Sequence, residues 1–282
     1  MGYNLKKGND TILRGKFDVE YASLKAPFDV QNLMFNASGF SFVSPAQLGA
    51  MRVGKGQNDY SMDWARTNMD ALYLPEKKKI VLIKGGPLGS RYAKELVSSQ
   101  SSGLSSCLSG HSSTSIKQFV IPKKDRGIVY ALVEYCKKFG GALEIGLRNP
   151  NILKNVSAQS EFYDLMLQIQ NDRTFKNEYT ERISTADFHN NELTDFMFSD
   201  EQFGIKSKDY GDTLKELRVN YITFSFDSEK YAGKQKGMYL NKVCIHGAAS
   251  YFNVTCRDEE LYNSDNAFGV RFTPVGDTKS SN

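Results

Sequence analysis

"ALYLPEKKKIVLIKGGPLGS", residues 71 to 90, decides how the chain is read. Two apolar runs, 71–74 and 79–84, flank Pro75-Glu76-Lys77-Lys78, a composition that suits a tight solvent-facing turn. The stretch is therefore predicted to form a β-hairpin within a sheet. Beyond it, Gly85-Gly86-Pro87-Leu88-Gly89-Ser90 leads into "SRYAKELVSS", which can form two helical turns with Ser90 as N-cap. A strand feeding a helix through glycines aims backbone N–H groups and the positive helix end at one spot, as a phosphate site requires. Gly85, Gly86, Gly89, Ser90 and Arg91 would build that site. The P-loop form, however, needs Gly-Lys-Ser/Thr where Gly89-Ser90-Arg91 stands, Pro87 removes a donor, and no G-x-G-x-x-G occurs. A plain bend is the preferred reading; an enzyme or sensor of a phosphorylated ligand is the alternative.

Upstream, Phe17, Val19 and Tyr21 alternate with Asp18 and Glu20, the period-2 signature of a strand with one buried face. "NLMFNASGFSFV" (32–43) reads as two further strands around a turn, which makes 1–78 a β-rich part. Downstream, residues 98–115 are mostly Ser and Gly and are expected to be a mobile loop. From 117 the pattern is strand, helix, strand: "KQFVI", a helix through "RGIVYALVEYCKKF" after Asp125, a stop at Gly140-Gly141, then "ALEIGL". That is the sequence form of a βαβ crossover and defines a central α/β part, 79–171. Phe162, Leu165, Met166 and Ile169 fall at i, i+3, i+4 and i+7, one apolar helical stripe. Residues 172–282 return to strands: "LRVNYITFSFDS", "GMYLNKVCIHG", "SYFNVTC" and "AFGVRFTPV". The expected fold is α+β, with antiparallel sheet at both ends, a short central α/β segment and one amphipathic helix, in one domain or more.

Composition narrows function by exclusion. The 282 residues are 40% hydrophobic and 24% charged, an ordinary globular balance rather than a disordered one. The formal net charge of +4, with pI ≈ 8.7, permits an anionic partner without demanding one. No apolar run reaches the roughly 18 residues of a membrane span, and "MGYNLKKGND" lacks a signal-peptide core, so a soluble cytoplasmic protein with no membrane partner is expected. Cys107, Cys136, Cys244 and Cys256 show no C-x-x-C spacing, and reduced thiols are the expectation. Cys107 with His111 and Cys244 with His246 lack finger or ribbon spacing, so no metal is assigned, and no cofactor motif is present. Three histidines and no G-x-S-x-G leave nucleophilic catalysis without a framework.

The feature that best suits a partner lies near the C-terminal strands. Lys230, Tyr231, Lys234, Lys236, Tyr239, Lys242, Tyr251 and Arg257 interleave cations with aromatic platforms, the means by which sheets hold single-stranded nucleic acid. Strand alternation sends about half of such aromatics inward. The functional expectation is a non-enzymatic binding or assembly protein, most concretely for single-stranded nucleic acid. A self-assembling homo-oligomer is the neighbouring alternative.

Overall fold

The computed structural model describes residues 6–9, 17–26, 28–74, 77, 79–86, 119–121, 123–146, 179–226, 238–248, 251–256 and 265–274. Their fold is α+β: five α-helices and one twelve-stranded mixed sheet. The hairpin read from residues 71–84 is present as β4 (Ala65–Leu74) and β5 (Lys79–Ile83), antiparallel with Leu72 opposite Val81. β4 and β10 (Met238–Ala248) form the central ladder, and each changes its outer neighbour part-way along. At one end β4 runs beside β12 (Asp265–Pro274), which continues to β2 (Phe17–Ala26) and β1 (Lys6–Asn9). β10 there runs beside β11 (Tyr251–Cys256), then β9 (Tyr221–Phe226) and β8 (Tyr179–Ser184). At the other end the neighbours are β5 with β7 (Ala142–Gly146), and β6 (Phe119–Ile121). Strands from all three stretches of the chain share this sheet.

Two expectations need correction. The sheet is not antiparallel throughout: β12 lies parallel to β4, and β11 parallel to β9. Residues 28–37 form a helix, α1 (Phe28–Ala37), and only Ser41–Phe42 pairs as β3 against β12. Phe28, Gln31 and Phe35 are buried while Leu33 is exposed, a helical rather than a two-residue period. The strand–helix–strand unit is present: β6 and β7 point the same way, with β10, β4 and β5 between them, joined across the sheet by α3 (Arg126–Lys138). The amphipathic stripe at 162–169 and the Ser/Gly stretch 98–115 lie outside the described residues.

Helices cover both faces. β4 is buried along nearly all its length because its side chains alternate between two cores. Met69, Ala71 and Tyr73 face α2 (Pro45–Arg52), α4 (Glu192–Phe198) and α5 (Ser207–Glu216), meeting Leu48, Met197, Phe198 and Leu214. Leu72 and Leu74 face the other way, toward Phe28 and Phe35 of α1 and Val133 of α3. α2 starts at a capping box, in which Ser44 Oγ accepts from Gln47 N–H and Gln47 Oε1 accepts from Ser44 N–H, with Pro45 in the first turn. It ends on Arg52, fully buried, whose guanidinium donates to the carbonyls of Ser61 (2.6 Å) and Asp63 (2.8 Å) and to Tyr210 Oη (3.1 Å). Burial drives the Tyr210 pKa upward, with Arg52 opposing, so this phenol stays neutral.

Candidate functional site

Where β4 changes neighbours, its backbone would leave polar groups orphaned. Asn68 N–H donates to Val43 C=O, and Asn68 C=O accepts from Gly86 N–H (3.1 Å), which closes the gap. Lys242 sits directly opposite Asp70 across the β4–β10 ladder, with Nζ 2.6 Å from Oδ1, and both side chains are sealed from solvent. The ammonium also lies 5.8 and 5.9 Å from the ring centres of Phe42 and Phe28. On the same face of β4, Arg66 donates to Gln31 Oε1 (3.0 Å) and Ala26 C=O (3.3 Å). This charge cluster is chemically the richest in the described residues, but it is closed and internally bonded. Its role is to fix one register of β4 against β10, since any slip would bury these charges apart.

The glycine turn belongs to that arrangement. Gly85 takes φ +60°, and a Cβ on Gly86 would lie 2.3 Å from Asp70 Oδ2 and 2.5 Å from its Cβ and Cγ. Glycine is needed at 86 so that backbone and buried carboxylate can touch. The Gly86 N–H is consumed by Asn68, so it has no hydrogen bond to offer a phosphate. Gly89, Ser90 and Arg91 lie outside the described residues.

The residues nominated for nucleic acid are not assembled by the described structure. Lys242 points into the core and is paired with Asp70, which removes it from any solvent-facing cation row. Tyr239 and Tyr251 contribute backbone to β10 and β11. Lys230, Tyr231, Lys234, Lys236 and Arg257 lie outside the described residues. Of the neighbouring aromatics, Tyr221 is exposed and Phe224 is buried, as strand alternation requires.

A surface that does stand out is the outer side of α3. Val133 anchors the helix on the sheet with Val129, Tyr130 and Cys136, while Ile128, Leu132, Tyr135 and Phe139 are 72%, 39%, 61% and 72% exposed. They recur at i, i+4, i+7 and i+11, so α3 carries a second apolar stripe turned to solvent. Tyr135 and Phe139 contact each other with ring centres 4.9 Å apart. Cations frame the stripe: Lys123, Lys124 and Arg126 at its start, Lys138 at its end. Residues 77, 79 and 119–146 together carry seven Lys or Arg against three Asp or Glu, a formal +4. Glu144 on β7 accepts from Lys79 (2.7 Å) and Lys137, and these two ammonium groups hold its pKa down at about 2. That bond ties the last turn of α3 to the sheet.

The opposite face of the sheet has the opposite sign. Residues 185–216, which include α4 and α5, hold eight acidic against three basic side chains, a formal −5. Asp187, Glu192, Asp195, Glu201, Asp209 and Glu216 are exposed. Lys84, after β5, reaches this layer, with Nζ 4.6 Å from the Phe196 ring centre. Burial lowers its pKa, against the pull of Asp200, Asp195 and Glu201. Among the described residues no group of three or more His, Cys, Asp or Glu is placed to hold a metal ion. No described helix is long and apolar enough to cross a membrane.

No family model and no curated protein matches the chain. One solved structure, described as a C-type lectin fold accommodating massive sequence variation in Nanoarchaeota, superposes with a TM-score of 0.48 at 10% identity. That superposition covers 93% of this chain and 100% of the other. A likeness at that level assigns neither family nor function. The α3 stripe was readable in the sequence, because Ile128, Leu132, Tyr135 and Phe139 fall on a different side of the helix from Val129, Val133 and Cys136.

Proposed function

We propose that the protein is a non-enzymatic binding or assembly protein whose contact surface is the outer face of α3. The observation that carries this reading is the exposed stripe Ile128, Leu132, Tyr135 and Phe139 within a basic frame. An exposed apolar row on a folded domain is retained against its solubility cost when something covers it. The frame asks for an anionic partner, and the stripe asks for one with apolar surface of its own. Single-stranded nucleic acid, the partner expected from the C-terminal aromatics and lysines, loses Lys242 from its contact set. Tyr135 and Phe139 beside Lys138 give that partner a second place to stack.

The test separates a contact surface from a part of the chain's own core. Ile128→Ser, Tyr135→Ser and Phe139→Ser are expected to leave urea stability within about 0.5 kcal/mol of wild type, because solvent-facing positions contribute little to folding. Val133→Ala, at the buried position, is expected to cost about 2 kcal/mol. Stripe variants that destabilise as strongly as Val133→Ala would mean that the stripe is covered within the chain, and the reading fails.

A further inference from the structure

The partner of the α3 face can be narrowed by asking which surface is complementary to it. We infer that it takes a second copy of this chain, head to tail, with the basic, apolar α3 face of one molecule seated on the acidic α4–α5 layer of the next. The inference rests on the reading of α3 as a contact surface. It starts from polarity: +4 on the α3 side and, with Lys84 included, −4 on the α4–α5 side, with the sheet between them. Two-fold pairing of α3 with itself is disfavoured in either direction. An antiparallel pair sets Lys123, Lys124 and Arg126 against Lys138, and a parallel pair sets each cation against its own copy. The acid on the helix, Glu134, is already held by Lys137 at 3.0 Å.

The acidic layer offers the missing chemistry. Asp209 and Glu216 lie seven residues apart on α5, on one side of the helix, and both are exposed. Beside α5, where Gly54 N–H donates to Thr213 Oγ1, Val53 is 41% exposed and Leu217 partly so. The layer thus presents apolar side chains among carboxylates, as the α3 face presents them among cations. Ile128 and Leu132 argue for protein over nucleic acid, since aliphatic side chains lack the π-faces on which bases stack. A contact between two different faces leaves one of each free, so association continues beyond a dimer.

Sedimentation velocity on the full chain tests this at low and high salt. Wild type is expected to form species larger than a dimer at low salt, increasing with concentration, and to fall to monomer as salt screens the contact. One variant, Lys123→Gln with Lys124→Gln and Lys138→Gln, loses the basic face without reversing it; a second, Asp209→Lys with Glu216→Lys, loses the acidic face. Each alone is expected to be monomeric, and an equal mixture is expected to form a dimer and stop, because each supplies the face the other lacks. An acidic-face variant that still associates like wild type overturns head-to-tail packing. A wild type that stays monomeric at low salt, with stripe variants of unchanged stability, overturns this inference and leaves the contact-surface reading standing. If such a monomer binds a fluorescent single-stranded oligonucleotide through Lys123, Lys124 and Lys138, the face belongs to nucleic acid and the inference is again overturned. Destabilised stripe variants remove both.

Discussion

Replacing Gly86 by alanine should unfold this protein far more readily than the loss of two hydrogens from a surface turn suggests. The added methyl would sit 2.3–2.5 Å from three atoms of the Asp70 side chain, inside contact distance for any real carbon. Asp70 has nowhere to retreat, because its side chain is fully buried and its carboxylate meets Lys242 at 2.6 Å. Either the turn lifts off, breaking the Gly86–Asn68 bond at about 1 kcal/mol and adding overpacking strain of about 1–3 kcal/mol, or Asp70 rotates away from Lys242. Separating a buried pair costs about 3–5 kcal/mol, so the expected loss is about 2–5 kcal/mol by the cheaper route or the dearer. Equilibrium urea denaturation reads it as a fall in midpoint at unchanged slope. Gly85→Ala is the control: it has open space around its Cβ position but φ +60°, and should cost only about 1 kcal/mol. A double-mutant cycle sharpens the test, because Asp70→Gly with Lys242→Met removes every side-chain atom the new methyl would meet, together with both charges. In that background Gly86→Ala should cost under about 1 kcal/mol. A Gly86→Ala protein as stable as wild type refutes the proposed contact, and an equal penalty in both backgrounds refutes the role of Asp70.

Further outcomes follow from the same geometry. Glu144, held near a pKa of about 2 by Lys137 and Lys79, is depressed when folded, so its contribution is present above its unfolded pKa of about 4.5 and lost as pH falls from there toward 2. Urea midpoints of Glu144→Gln should therefore lie below wild type at pH 6 and converge with it near pH 2. Ser44→Ala removes the α2 capping box and should cost about 1 kcal/mol, with Ser44→Asp recovering most of it in the same denaturation assay. Tyr210→Phe deprives Arg52 of one of its acceptors and should cost about 1–2 kcal/mol, with a flat pH dependence below pH 9, since Tyr210 stays neutral there.

The hairpin at 71–84, the helix after Asp125 and the four C-terminal strands were legible because their signals are local: period, turn residues and a Gly-Gly stop. Residues 28–37 misled because their aromatic and β-branched content outweighed the spacing of Phe28, Gln31 and Phe35, which only burial against the sheet makes decisive. α2 was announced by Ser44-Pro45-x-Gln47, a short signal that is easily passed over inside a turn-rich stretch. Lys242 illustrates a limit in kind. Nothing near it in sequence reveals that Asp70 faces it, because that contact spans 172 positions and exists only once β4 and β10 are paired. The parallel pairings β12–β4 and β11–β9 are invisible for the same reason.

The place of β12 has a consequence for how the chain is made. This strand, residues 265–274, lies between β2 and β4, with Pro274 opposite Phe17 and Ala267 beside Arg66. A ribosome therefore adds the 190 residues from 75 to 264 after β4 is made, while β2 and β4 each lack a neighbour at the seam that joins them. Native pairing across such separations is slow, since a long loop must close before any contact rewards it. During synthesis those two strand edges are open to pairing with other nascent chains, and the hazard ends only when β12 slides into the slot left for it.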